Sequence, residues 1–113
     1  MITIYHNNRC SKSRNGLELL EQSGKEFKVV KYLEDTLSFN ALKEIISLLD
    51  IKPIALVRTN ETIWKEQFKD KPLTDTQIIQ AMVDYPKLIE RPIVVNGNKA
   101  VIGRPLENIS GII

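Results

Sequence analysis

Residues 91–105 read RPIVVNGNKAVIGRP, two Arg-Pro pairs enclosing two short apolar runs and an Asn-Gly-Asn turn. The β-branched run Ile93-Val94-Val95 and the run Ala100-Val101-Ile102 each predict a strand. Asn96-Gly97-Asn98 between them predicts an antiparallel hairpin. Proline fixes its own φ and biases the residue before it to extended backbone. Arg91 and Arg104 are therefore pointed reproducibly, and their places on either side of one hairpin would aim both at one end of a sheet.

Upstream of the hairpin the period changes. Ile2-Thr3-Ile4-Tyr5 alternates and predicts a first strand. The polar stretch from His6 to Ser13 reads as a loop, and a helical pattern carrying Leu17, Leu19 and Leu20 follows, with Gly24 as its stop. Phe27 to Tyr32 predicts a second strand. Ser38 caps a helix whose Leu42, Ile45, Ile46 and Leu49 fall on one face. Pro53 suits the first turn of a short helix from Ile54 to Val57, and the stretch with Trp64 and Phe68 reads as partly helical. Thr74 and Gln77 form a capping box for a helix presenting Ile78, Ala81, Met82 and Tyr85 and ending before Pro86. Pro105 begins a last short helix with Leu106 and Ile109. The order is β-α-β, a helical block, then the hairpin. It predicts an α/β fold of one domain, residues 1–113, with helices packed on a mixed sheet.

Composition narrows the chemistry. The chain has 113 residues, 16 Lys and Arg against 14 Asp and Glu, and a net charge of +2, too small a surplus to argue for nucleic acid. One cysteine and one histidine exclude an internal disulfide and a structural zinc site. No apolar run approaches the roughly 20 residues of a membrane span. A lone thiol suits a reducing compartment, and the first residues lack the basic region and cleavage site of a signal peptide. The chain reads as cytoplasmic.

Cys10 lies between a strand and a helix in Cys-Ser-Lys-Ser. Unpaired N–H groups and the macrodipole at a helix start favour an anion and lower the pKa of a thiol there. The same groups cradle an incoming oxyanion. Ser13 offers a hydroxyl donor, and Arg9, Lys12 and Arg14 add positive charge. A free cysteine is often simply a small buried hydrophobe, but these polar neighbours favour a reactive thiol. An imidazolium at His6 would stabilise the thiolate; the plainer reading, a strand-end histidine satisfied by backbone or water, is favoured by position alone. A phosphatase-type loop needs arginine six residues after the cysteine, where Gly16 stands. A dithiol pair needs cysteine at position 13, where Ser13 stands, so any resolving thiol comes from another molecule. Arg58, Arg91 and Arg104 are suited to bidentate oxyanion binding, although spacing alone favours three solvated surface arginines.

Taken together, His6-Asn7-x-x-Cys10-x-x-Ser13-Arg14-Asn15, Leu-Val-Arg58-Thr-Asn, Glu-Arg91-Pro-Ile-Val-Val and Ile-Gly-Arg104-Pro resemble the glutaredoxin-coupled arsenate reductases. The resemblance covers nearly the whole chain, with four motifs in order. It implies a thioredoxin-like fold: a mixed four-stranded sheet with flanking helices and a helical insertion between the second and third strands. It implies Cys10 as nucleophile, Arg58, Arg91 and Arg104 around the arsenic-bearing group, and Pro92 as the cis-proline of such folds. His6, Ser13 and Arg14 would support the loop. Arsenate would be the substrate and glutathione the co-substrate, with glutaredoxin as donor, no tightly bound cofactor or metal, and a monomer as the working form. Asn8 departs from the proline that many members carry.

Two rivals remain open on sequence. Spx-type regulators share the fold and bind RNA polymerase, but many carry Cys-x-x-Cys and lack Gly-Arg-Pro; Ser13 and Arg104 favour the reductase. A thiol oxidoreductase on the same scaffold with another substrate is the second, because fold and thiol do not set the substrate.

Overall fold

In the computed structural model, which describes residues 1–113, the chain runs β1 (Ile2–His6), α1 (Ser11–Ser23), β2 (Phe27–Lys31), α2 (Phe39–Leu49), α3 (Thr62–Gln67), α4 (Asp75–Asp84), β3 (Ile93–Asn96), β4 (Lys99–Ile102) and α5 (Glu107–Ser110). Short 3₁₀ turns cover Pro53–Leu56 and Pro86–Leu88. The chain forms two compact units: Met1–Asp35 with Arg91–Ile113, and Thr36–Glu90 between them in sequence.

The first unit holds one sheet of four strands in the order β2-β1-β3-β4. β1 pairs parallel with β2, which requires a crossover connection, and α1 supplies it. β3 runs antiparallel to both β1 and β4. The hairpin closes over Gly97-Asn98. Gly97 has φ +63°, and no positive φ occurs at Asn98, the pattern of a type II′ turn that needs glycine first. This is the mixed sheet with an intervening helical segment that the resemblance implies.

Alternation along β1 turns Ile2 and Ile4 inward, where they meet Leu20 of α1, Val94 of β3 and Ile109 of α5. Leu17, Phe27, Val101 and Leu106 close the edges of this core. Several boundaries differ from the sequence expectation. His6 is the last residue of β1, paired in register with Lys31, rather than the first of the loop. α1 begins at Ser11 because the Arg14 N–H already bonds the Cys10 carbonyl at 3.0 Å. β2 stops at Lys31, and Tyr32 is buried in the turn that follows. α5 starts at Glu107, leaving Pro105 and Leu106 before it.

In the second unit, Ser38 caps α2 by accepting from the Ala41 N–H at 3.1 Å, and Leu42, Ile45 and Ile46 are its buried face. The Thr74–Gln77 capping box forms in both directions. α4 buries Ile78, Ile79, Ala81 and Met82. Tyr85 is the residue after α4, not part of its face, and its ring meets Phe68 edge-on at 5.9 Å while Phe68 stacks on Trp64. Segments 56–58 and 88–90 pair through Arg58 N–H to Leu88 O and Glu90 N–H to Leu56 O.

One close packing joins α1, β3 and β4. A Cβ on Gly103 would stand 2.8 Å from Pro92 Cγ and 2.9 Å from Ile109 Cδ1; one on Gly16 would stand 2.9 Å and 3.2 Å from the same atoms. The Pro92 ring and the Ile109 side chain thus fill the space that two glycines leave. Overpacking of this kind costs about 1–3 kcal/mol. Gly103→Ala should lower the unfolding free energy by about that amount, read from urea titration. Gly16→Ala should lower it by less, because alanine's helix preference of about 0.5–1 kcal/mol offsets part of the clash. An unchanged urea midpoint for Gly103→Ala would show that the ring has room to move.

Candidate active site

The loop that presents Cys10 is held by its own backbone. The Cys10 N–H bonds the Asn7 carbonyl at 3.1 Å, and the side-chain oxygen of Asn7 accepts from the Arg9 N–H at 3.0 Å. Asn7 is buried. Arg14 donates from Nη1 to the Asn8 carbonyl at 3.0 Å. Arg14 thus braces the loop from outside instead of facing the thiol.

Ser13 sits one turn beyond Cys10, fully buried. Its Oγ accepts from the Asn7 N–H at 3.0 Å and lies 2.7 Å from His6 Nδ1. A serine has one proton to give, so donation to an unprotonated Nδ1 satisfies both side chains. The hydroxyl is therefore engaged with the strand end, and what Ser13 turns toward the sulfur is its backbone N–H. This corrects the expected hydroxyl donor: burying His6 on β1 creates a polar atom that needs a partner, and Ser13 is that partner. Burial pushes the His6 pKa down, as do Lys31 and Arg14, against the opposing effect of the Ser13 contact. Burial thus favours the neutral imidazole, and the Ser13 hydroxyl, instead of the backbone or water of the plainer sequence reading, is what satisfies this strand-end histidine.

Cys10 is the N-cap of α1 and half-buried, with no bond short enough to count as a side-chain cap. Burial by itself raises its pKa. The N–H of Ser13, the Arg91 side chain and the N–H of Lys12 outweigh that effect, and the net shift is downward. Arg104 Nη2 donates to Cys10 Sγ at 3.1 Å. Its Nε donates to the Arg91 carbonyl at 2.7 Å, and the Gly103 N–H bonds the Pro92 carbonyl at 2.8 Å. The β3–β4 register thus continues past the strands, setting Pro92 against Gly103 and Arg91 against Arg104. The peptides before Pro92 and Pro105 are both cis.

The first unit therefore gathers Cys10, His6, Ser13, Arg91, Arg104 and Pro92. Arg58 belongs to the second unit, at the end of the paired segment 56–58, with its Nη1 buried and without a hydrogen-bond partner. Asn7 organises the loop, yet its role is carried only by an Asn two residues before Arg9, a weak turn signal. Gly16 and Gly103 also escaped sequence reasoning, since neither has an unusual φ to demand glycine. No group of three or more His, Cys, Asp or Glu side chains that could hold a metal is present. No helix is long and apolar enough to cross a membrane.

A thiol at a helix start, flanked by two guanidinium groups on a β2-β1-β3-β4 sheet, defines a cysteine protein of the thioredoxin-like class. The chain matches the ArsC family over residues 5–112 and belongs to it. It is similar to the arsenate reductase of Neisseria meningitidis, at 42% identity over 99% of this chain and 97% of that one. The uncharacterised protein YfgD of Escherichia coli is 46% identical over 99% of this chain and 96% of its own. The solved arsenate reductase of Vibrio cholerae superposes with a TM-score of 0.94 at 43% identity, covering 99% of this chain and 97% of that one.

Because the sulfur's charge is held by donors, its reactivity should follow pH accordingly. The rate of Cys10 alkylation by iodoacetamide should reach its midpoint below the free-thiol value of about 8.5. Arg91→Ala should move that midpoint up, since it removes a hydrogen-bonding cation that favours the thiolate. A midpoint that Arg91→Ala leaves in place would remove that cation from the thiolate's environment.

Proposed function

We propose that this chain reduces arsenate to arsenite with Cys10 as the nucleophile. The observation that carries the reading is the Arg104 Nη2 contact with Cys10 Sγ at 3.1 Å, with the Arg91 side chain acting on the same sulfur. One thiolate and two guanidiniums leave a surplus positive charge where an oxyanion must arrive. Membership of the ArsC family, and the long match to a relative named arsenate reductase, support arsenate over other oxyanions.

In the first step the Cys10 thiolate attacks arsenic; an S–As bond forms, an As–O bond breaks, and the oxygen leaves as water after protonation. Arg91 and Arg104 hold the remaining oxygens and neutralise charge as it shifts between them. Arg58 keeps its assignment to the oxyanion on the resemblance of its Leu-Val-Arg-Thr-Asn segment. Glutathione thiolate then displaces a second oxygen, again as water, giving arsenic(V) bonded to both sulfurs. A glutaredoxin thiolate attacks the glutathione sulfur. The new S–S bond forms as the S–As pair passes to arsenic, which becomes arsenic(III). The two electrons come from the two thiols that end as a mixed disulfide. Water cleaves the Cys10–arsenic bond, releasing arsenite and the thiolate. This donor chemistry suits a reducing compartment, and the cytoplasm is the assignment it supports; each step uses one copy of the chain.

The test is arsenite formation from arsenate, glutathione and glutaredoxin, with thioredoxin offered as the alternative donor. Cys10→Ser should abolish turnover while leaving the circular dichroism spectrum unchanged. Arg104→Ala should lower kcat/KM by about 10²–10³-fold, the usual loss of one oxyanion donor. Turnover by Cys10→Ser at the native rate would end the assignment, and turnover with thioredoxin alone would replace the donor.

A further inference from the structure

Beside the thiol, and on the side of the hairpin's return, lies a cleft of about 310 Å³ whose walls include Lys12, Asn15, Gly103, Arg104, Leu106 and Glu107. Two of these residues also meet the sulfur: Arg104 through Nη2 and Lys12 through its N–H. The cleft and the nucleophile are thus adjoining parts of one surface. The volume is at the lower end of small-molecule sites, about 300–1,000 Å³, so it suits a small ligand better than a protein segment.

The wall chemistry selects among small ligands. The side chains of Lys12, Asn15 and Glu107 make no hydrogen bond or ion pair within the chain. They offer, respectively, a cation, an amide that both donates and accepts, and an anion. Leu106 and Gly103 supply apolar wall between them. A simple oxyanion would be served by the cations and repelled by Glu107. An apolar ligand would leave all three polar groups unmatched. A ligand with both carboxylate and ammonium groups on a short peptide frame matches each of them. The geometry points to this cleft as the binding site of the low-molecular-weight peptide thiol, of the glutathione class, that acts on the group carried by Cys10. Lys12 takes a carboxylate, Glu107 takes the ammonium, and Asn15 takes a peptide group. The inference rests on the donor assigned under the proposed function, and it adds the place and the residues that recognise that donor.

The probe is S-methylglutathione, which keeps the charges and cannot react. Titrated into the native protein and followed by amide NMR shifts, it should perturb residues around Lys12, Asn15 and Glu107. Glu107→Lys should weaken its binding about tenfold, the scale of one charge-assisted contact. Lys12→Gln should weaken it as well. In the coupled assay Glu107→Lys should raise KM for glutathione about tenfold and leave KM for arsenate unchanged. Shifts confined to another face, or native affinity in both variants, would overturn the site even if arsenate turnover is robust. Binding in this cleft by a protein that makes no arsenite would uphold the site and reject the arsenate reading.

Discussion

The site depends on the register of β3 against β4. Side chains alternate along a strand, so a slip of one residue would turn every side chain of β3 to the opposite face. Val94 would leave the core shared with Ile4 and Leu20, and the Pro92 ring would lose its place beside Gly16 and Gly103. Arg91 would no longer stand against Arg104, and the 2.7 Å bond between the Arg104 Nε and the Arg91 carbonyl would have no counterpart. The register is set at the far end of the hairpin, by a two-residue turn that Gly97 makes possible at φ +63°. A turn with no side chain near the thiol therefore decides which cations reach it.

Bringing two guanidinium groups together carries an electrostatic cost, the more so because Arg91 is only 8% exposed. Like charges repel more strongly as burial lowers the effective dielectric around them. The fold offsets this with acceptors: the Arg91 carbonyl takes the Arg104 Nε, and Cys10 Sγ takes Nη2. A charged sulfur serves that purpose better than a neutral one. The thiolate and its donors thus stabilise each other: the Ser13 N–H, the Arg91 side chain and the Lys12 N–H move the thiol's pKa down although burial alone would move it up. What holds the site together is also what favours the charged form of the thiol.

The features legible in sequence were those written locally. The hairpin, the Thr74 capping box and the Ser38 cap each occupy a few adjacent residues, and each forms as read. Proline chemistry and a short turn offered the convergence of Arg91 and Arg104 as one reading, while spacing alone favoured solvated surface arginines; the two side chains in fact meet at Cys10. Features set by tertiary contact were not legible. Ser13 three residues after a cysteine reads as a donor to the site, and only the inward position of His6 on β1 shows that its hydroxyl is taken. Gly16 reads as an imperfect helix residue until the Pro92 ring is placed against it. The two compact units leave no compositional trace, because the chain passes between them without a glycine- or proline-rich linker.

The loop's hydrogen bonds also bear on why one thiol suffices. A thiol at position 13 would have to face Cys10 to form a disulfide with it, yet the Ser13 side chain points to His6 Nδ1 and the Asn7 N–H, fully buried. Sulfur is a poor acceptor and a weak donor, so a cysteine there would leave a buried imidazole and a buried amide without adequate partners, at about 1–3 kcal/mol each. The lack of a partner thiol is thus tied to the polar network that shapes the loop and not only to the count of cysteines. Cys10 therefore has no partner thiol on its own chain, and the side chain one turn beyond it is committed to the strand end.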